Sequence, residues 1–412
     1  MSAETSSADF IASLLREHLQ SFTPYASARR SMSGGNLWLN ANESPYGRSY
    51  QVATENLNRY PDFQNKVLNQ AYADYAGVKP SQVISHRGSD ESIELLIRSF
   101  CEPGQDKILI CPPTYGMYAI SASINHNETV VVPLQQSDWQ LDLEGIRKAL
   151  DEAEGRIKVV FLCNPSNPLG NALREEDMLA VLEMCKGRAL VVSDEAYIEF
   201  AEASKFAQNS ASVNTSAGPE ALASAATSAA NSTVSMVRHM ASYDNLVVMR
   251  TLSKAFGLAG IRVGFTMGSE ALVNALLPVL APYPLPDMSV QIANQALQLD
   301  NLIATRQNTF ESVSERELLA TALEKLDYVQ AVYPSVTNFI LIQVQDAQAL
   351  IQYCVEAGVL LRNQSSQIGL QEVVRITVGS PEENEQLLRL LQQYQPNAAT
   401  TSAAFANQAE AK

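Results

Sequence analysis

Residues 250–265 read RTLSKAFGLAGIRVGF. A lysine, ordinarily a well-hydrated cation, closes the apolar run NLVVMR (245–250), with Thr251 and Ser253 before it and a glycine-studded apolar run after it. Arg262 follows eight residues later. An unmasked ammonium is costly to bury, so this texture asks for a partner that removes the charge of Lys254. The glycines let backbone come close to whatever that partner is.

Working outward, short β-rich runs alternate with helical patterns over roughly residues 60–280. Besides 245–250 they are QVISH (82–86), KILIC (107–111), TVVVP (129–133), KVVFLC (158–163), ALVVS (189–193) and VGFTM (263–267). This rhythm is that of βαβ units, and it predicts an α/β domain with a mostly parallel seven-stranded sheet flanked by helices. Between strands, residues 89–100 are expected to be helical, with Ile93, Leu96, Ile97 and Phe100 on one face.

Near residue 282 the texture changes. APYPLP (281–286) cannot be a helix interior and reads as a passage between domains. A long helical stretch, the strand-like FILIQV (339–344) and VVRITV (373–378) then predict a smaller α+β domain. The expected division is 1–44 as an N-terminal arm and part of the small domain, 45–282 as the large domain, 283–396 as the small one, and 397–412 as a disordered tail. The arm packs either with the small domain or with a neighbouring subunit. Residues 206–235 carry a single charge among Ala, Ser, Asn and Thr and are expected to form a flexible surface insertion, bulging away from the site.

The formal charge of −15 opposes a broad electrostatic grip on nucleic acid or an anionic membrane. Five cysteines form no C-x-x-C pair, four histidines lack metal-ligand spacing, and no apolar run approaches the ~18 residues of a membrane span. The first residues, MSAETSSADF, lack the pattern of a secretory signal. A cytoplasmic protein without a protein-built metal site is expected. Neither G-x-x-x-x-G-K-[ST] nor a helix-opening G-x-G-x-x-G is present, which opposes a nucleotide-binding reading.

In an open parallel sheet, ligands bind beyond the carboxyl ends of the strands. Five strand ends here are followed by RGSDES, PPTYG, NPSNPLG, DEAY and TLSK. Together they match the needs of pyridoxal 5'-phosphate (PLP). Its aldehyde needs an amine for a Schiff base, offered by Lys254. Its protonated ring nitrogen needs a carboxylate, offered by Asp194, and its phenolic oxygen needs donors, offered by Asn167 and Tyr197. The ring face needs an aromatic plate, for which Tyr115 is the candidate. Its phosphate needs a helix N-terminus, offered by the backbone N–H groups of Ser89 and Asp90, with Ser253 and Arg262 completing the cup.

These residues and the motifs LNANESPYG (39–47), NRYPD (58–62), CPPTYGMY (111–118), SDEAYIEF (193–200), LLRNQ (360–364) and VRITVGS (374–380) give the chain its resemblance to the fold-type-I PLP-dependent aminotransferases, in particular the histidinol-phosphate aminotransferases. The resemblance implies that Lys254 bears the cofactor, Asp194 pairs with its ring nitrogen, and Asn167 and Tyr197 hold its phenolic oxygen. It implies that Tyr60 reaches the site from the other subunit of a homodimer. It further implies that Arg362 and Arg375 bind substrate anions and that Tyr25 lies near the substrate. The implied reaction moves an amino group between L-histidinol phosphate and 2-oxoglutarate; an aromatic aminotransferase or a threonine-phosphate decarboxylase is the alternative on the same scaffold. The chain departs from the family pattern N-P-x-N-P-T-G at Leu169, where a hydroxyl is usual.

Overall fold

The computed structural model of the chain describes residues 7–24, 34–213 and 234–396. Tyr25, residues 214–233 of the Ala/Ser-rich stretch and the tail from 397 lie outside the described residues. The strands in chain order are β1 (Leu37–Trp38), β2 (Val83–His86), β3 (Lys107–Ile110), β4 (Glu128–Val131), β5 (Ile157–Cys163), β6 (Leu190–Asp194), β7 (Leu246–Thr251), β8 (Gly264–Met267), β9 (Val329–Val332), β10 (Phe339–Val344), β11 (Val359–Leu360), β12 (Arg362–Asn363) and β13 (Val373–Thr377).

Seven of them form one sheet in the order β2-β8-β7-β6-β5-β3-β4. Only β8 runs against its neighbours, pairing antiparallel with both β2 and β7. The central strands are apolar along their length because both of their faces are covered. Alternate side chains of β5 enter different cores, Val160 and Leu162 on one face and Val159 and Phe161 on the other. β4 is an edge strand with half-exposed residues, and Glu128 there pairs with Lys107 of β3 at 2.8 Å, a charge that discourages edge-to-edge pairing.

A second sheet of four antiparallel strands has the order β12-β13-β10-β9, and its apolar face forms a third core. The chain crosses to it along the 25-residue helix Leu299–Leu323. That helix lies against the helix Ile198–Val213, with Arg306 pairing to Glu202 at 3.5 Å and the Phe206 and Phe310 rings meeting edge to face. Arg316, buried in the same helix, donates to the Thr337 carbonyl at 2.9 Å just before β10.

Residues 36–42 run along this second sheet, whereas Arg16 and His18 of the described N-terminal residues reach the Ile124 carbonyl beside the large sheet. β1 pairs with β11, the Leu39 N–H donates to the Leu360 carbonyl, and the Thr377 N–H donates to the Leu39 carbonyl. This pairing carries Asn40, Ala41 and Asn42 to the gap between the two sheets. Of the expected insertion, residues 206–213 and 234–235 are among those described. The helix from Ile198 continues to Val213, with the half-buried Phe206 set edge to face on Phe310 of the long helix. At the far end Ser235 is buried and hydrogen-bonded inside the protein.

Candidate active site

The strand ends of the large sheet and the edge of the small one enclose a cavity of about 170 Å³. Its walls bring together Ser89, Asp90, Tyr115, Asn167, Asp194, Tyr197, Ser253, Lys254, Arg262, Arg362 and Arg375. These residues come from seven stretches of chain, so parallel strand ends and one antiparallel edge are what make them neighbours.

Lys254 stands in the turn after β7, which is closed by Ser253 N–H donating to Thr251 Oγ1 at 3.1 Å and Gly257 N–H donating to the Lys254 carbonyl at 3.0 Å. Its Nζ donates to the Ala41 carbonyl at 2.9 Å and lies 5.7 Å from the centre of the Tyr197 ring. Burial, reinforced by the nearby Arg375 guanidinium, lowers its pKa to about 8. Asp194 ends β6, nearly inaccessible to solvent; Tyr118 Oη donates to its Oδ2 at 2.6 Å and Ala196 N–H to its Oδ1 at 3.2 Å. Burial nevertheless pushes its pKa up to about 6, so the carboxylate is short of a cationic partner.

The helix Ser89–Phe100 opens onto the cavity with no side chain capping its first turn, leaving its N–H groups and dipole directed there. Two glycines make this possible. A Cβ on Gly264 would sit 2.7 Å from the Ser89 nitrogen, and Gly88, at φ +80°, passes so close to Arg262 that a Cβ would lie 2.7 Å from Nη2. Arg262 itself holds a left-handed backbone at φ 55°, an uncommon state for a residue with a side chain. Its guanidinium reaches Ser253 Oγ at 3.4 Å and Asp90 Oδ2 at 3.4 Å. The Asp90 carboxylate also accepts from Tyr115 Oη at 2.9 Å, so it is engaged beside the cup.

On the opposite wall, Arg375 of β13 is buried and donates to Asn167 Oδ1 at 2.5 Å and to the Asn40 carbonyl at 2.9 Å. Arg362 of β12 pairs with it in register and lines the same cavity. The loop carrying Asn167 is closed by backbone bonds, Gly170 N–H to the Ser166 carbonyl and Ser166 N–H to the Asn171 carbonyl. Leu169 packs into the core there, so apolar burial holds a turn that lacks the usual hydroxyl.

Tyr60 is not among the cavity residues. It is 80% exposed and stacks on Tyr283 at 4.4 Å. Asn42 and Tyr118 were missing from the candidates read in the sequence. Asn42 donates to Tyr197 Oη at 2.9 Å, and Tyr118 holds Asp194. Both lie inside motifs quoted above, yet no strand-end pattern points to them. Among the described residues no three His, Cys, Asp or Glu side chains gather as metal ligands, and no helix is long and apolar enough to cross a membrane.

The arrangement fits a flat, phosphorylated aldehyde with a basic ring nitrogen. A neutral-prone amine and a buried carboxylate held by Tyr118 and Ala196 share one cavity, with an anion cup and two arginines in its walls. Residues 36–391 match the family described as aminotransferase class I and II. The chain is 52% identical over 92% of its length to histidinol-phosphate aminotransferase 2 of Idiomarina loihiensis, covering 98% of that protein. It is 43% identical over 92% of its length to a histidinol-phosphate aminotransferase of Escherichia coli, covering 97% of it. Among solved structures, a histidinol-phosphate aminotransferase of Sinorhizobium meliloti in complex with pyridoxal-5'-phosphate superposes with a TM-score of 0.74 at 22% identity, over 92% of this chain and 96% of that one. One from Clostridium acetobutylicum gives 0.72 at 23% identity, over 87% and 98%. At such identities the solved structures speak to the fold alone.

Proposed function

The chain belongs to the class I and II aminotransferases, and we infer that it carries pyridoxal 5'-phosphate and exchanges an amino group between L-histidinol phosphate and 2-oxoglutarate, giving imidazole acetol phosphate and glutamate. The observation that carries this reading is the shared cavity of Lys254 and Asp194, in a chain 52% identical to a histidinol-phosphate aminotransferase. When bound, the cofactor supplies an aldehyde that engages the amine and a cationic ring that accepts the electrons released at Cα.

Ser89 and Asp90 N–H groups, Ser253 Oγ and the Arg262 guanidinium hold the cofactor phosphate. Asp194 keeps the ring nitrogen protonated, since its carboxylate gains most from a cation at that place. Asn167 and Tyr197 donate to the phenolic oxygen, and Tyr115 covers the ring face. Arg362 and Arg375, with Tyr25, hold the phosphate of the donor and a carboxylate of the acceptor. The Lys254 amine, already easy to deprotonate, takes the proton from Cα of the donor and delivers one to Cα of the acceptor.

A homodimer completes the site in this reading. Tyr60 is exposed and stacks on the half-exposed Tyr283, a pair of aromatic rings suited to a second copy, and it serves the cofactor of the other subunit. The cytoplasm suits the buried, unpaired cysteines among the described residues.

The experiment is a half-reaction. Holoenzyme mixed with histidinol phosphate alone loses its visible cofactor absorption, and 2-oxoglutarate restores it. An unchanged spectrum with histidinol phosphate, alongside a response to phenylalanine or carbon dioxide release from threonine phosphate, overturns the substrate assignment in favour of the sister enzymes.

A further inference from the structure

Directly after Asp194, Glu195 is fully buried, and its carboxylate is surrounded by donors. Ser235 Oγ donates to Oε2 at 2.7 Å, Met236 N–H to Oε1 at 2.7 Å, Arg250 Nε to Oε2 at 3.0 Å and Ser193 Oγ to Oε1 at 3.3 Å. Arg250, equally buried, pairs with it at 2.9 Å through Nη2, which also donates to Ser235 Oγ at 2.6 Å. The backbone N–H of Glu195 donates to the Met249 carbonyl at 2.9 Å. Side chain and backbone of this one residue therefore tie the end of β6 to the end of β7.

Those two strand ends carry the two groups on which the proposed chemistry depends. Successive side chains on extended backbone point to opposite sides, so Asp194 faces the cavity and Glu195 faces away from it. Arg250 is followed by Thr251, a cavity residue, and then by the turn bearing Lys254. A buried carboxylate and guanidinium are expensive to desolvate and do not by themselves make a fold more stable than apolar residues would. What such a pair does supply is direction, because its hydrogen bonds admit one geometry.

We propose that Glu195 is a positioning residue for transamination: its buried pair with Arg250, locked by Ser235, sets the spacing and orientation of Asp194 and Lys254. This rests on the proposed transaminase reading. Glu195 touches neither substrate nor cofactor and acts through its neighbours. Ser235 is the third member, so the chain that returns after residue 233 is clamped one residue from the ring carboxylate.

The test compares wild-type protein with E195Q, R250K and S235A. Three readouts are used: the affinity of cofactor-free protein for pyridoxal 5'-phosphate, the pH midpoint of the holoenzyme's visible absorption, and kcat and KM with histidinol phosphate. In E195Q we expect kcat lower by roughly 10- to 100-fold with KM nearly unchanged, weaker cofactor affinity and a displaced absorption midpoint. R250K keeps the charge without the fork and should shift the midpoint in the same direction by less. A lower melting temperature with kcat per bound cofactor, midpoint and affinity all as in wild type overturns the proposal. If E195Q fails to fold, S235A decides: a shifted midpoint supports the clamp, an unshifted one overturns it. Wild-type protein that binds the cofactor but does not turn over histidinol phosphate overturns the substrate assignment alone, and the affinity and midpoint still judge Glu195.

Discussion

Nη1 of Arg375 donates to Oδ1 of Asn167 at 2.5 Å, although 208 residues separate them in the chain. The bond joins β13 of the small sheet to the loop after β5 of the large one, and Nη2 of the same arginine reaches the Asn40 carbonyl. Arg375 is thus fixed before any substrate arrives. R375K keeps the charge but loses the planar fork, and kcat/KM for both substrates should fall roughly 10- to 100-fold, mostly through KM. Steady-state kinetics measure this; a variant with altered melting temperature and unchanged KM would remove Arg375 from substrate binding.

Lys254 is expected to react as an unusually available amine in cofactor-free protein. With its pKa lowered from 10.5 to about 8 by burial and by Arg375, its labelling by a small acylating reagent should reach half-maximal rate near pH 8. Peptide mapping across pH reads the midpoint. Borohydride reduction of the holoenzyme should leave the cofactor on the same residue.

Asp194 trades stability for function. Its folded pKa, raised from 3.8 to about 6 by burial, means that the native cofactor-free protein binds more protons than the unfolded chain between those values. Stability therefore falls as pH rises through that window. D194N removes this burden and should stabilise cofactor-free protein at pH 7 by on the order of 2 to 3 kcal/mol. The same substitution should cost most of the activity. Urea unfolding of both forms at pH 4 and pH 7 checks the sign.

His86 acts in the opposite sense. It is fully buried, with Nδ1 3.0 Å from the Gly88 carbonyl and Nε2 2.8 Å from Thr266 Oγ1, and burial lowers its pKa from 6.5 to about 4. Between those values the unfolded chain binds the extra proton, so stability is lost as pH falls from 6.5 towards 4, by on the order of 3 kcal/mol. His86→Asn should be less stable at pH 7 yet show a flatter acid limb. A limb as steep as in wild type would assign the acid loss to other groups.

Tyr60 is tested by complementation. Y60A keeps Lys254, and K254A keeps Tyr60. Refolding the two together should give hybrid dimers with one intact site and recovered activity, whereas each parent alone stays nearly inactive. Hybrids no better than their parents would mean that Tyr60 does not cross between subunits.

Much of the site was readable because each requirement has its own local signature. Asp194 ends an apolar strand, Asn167, Ser89 and Lys254 each lie within four residues of the end of one, and the sheet brings such positions to one edge. Asn42 and Tyr118 left no such signature, since Asn42 reaches the cavity only because β1 pairs with β11 and the segment after it crosses Thr377. The helical continuation over residues 206–213 left no local signature for a related reason. Phe206 meets Phe310 more than a hundred positions away, and a contact of that span is invisible in local composition.

By itself the amino-acid sequence determined the alternation of strands and helices, the apolar faces, the lysine in its turn and the acid at its strand end, because these depend on local pattern and side-chain chemistry. Only the tertiary structure decided which groups share a cavity, that Glu195 turns away from it towards Arg250, and that Arg375 meets Asn167. Proximity across hundreds of residues arises from sheet order and from packing two sheets together. So does the burial that moves Lys254 and Asp194 from their ordinary protonation. Neither is a property of any short stretch of chain.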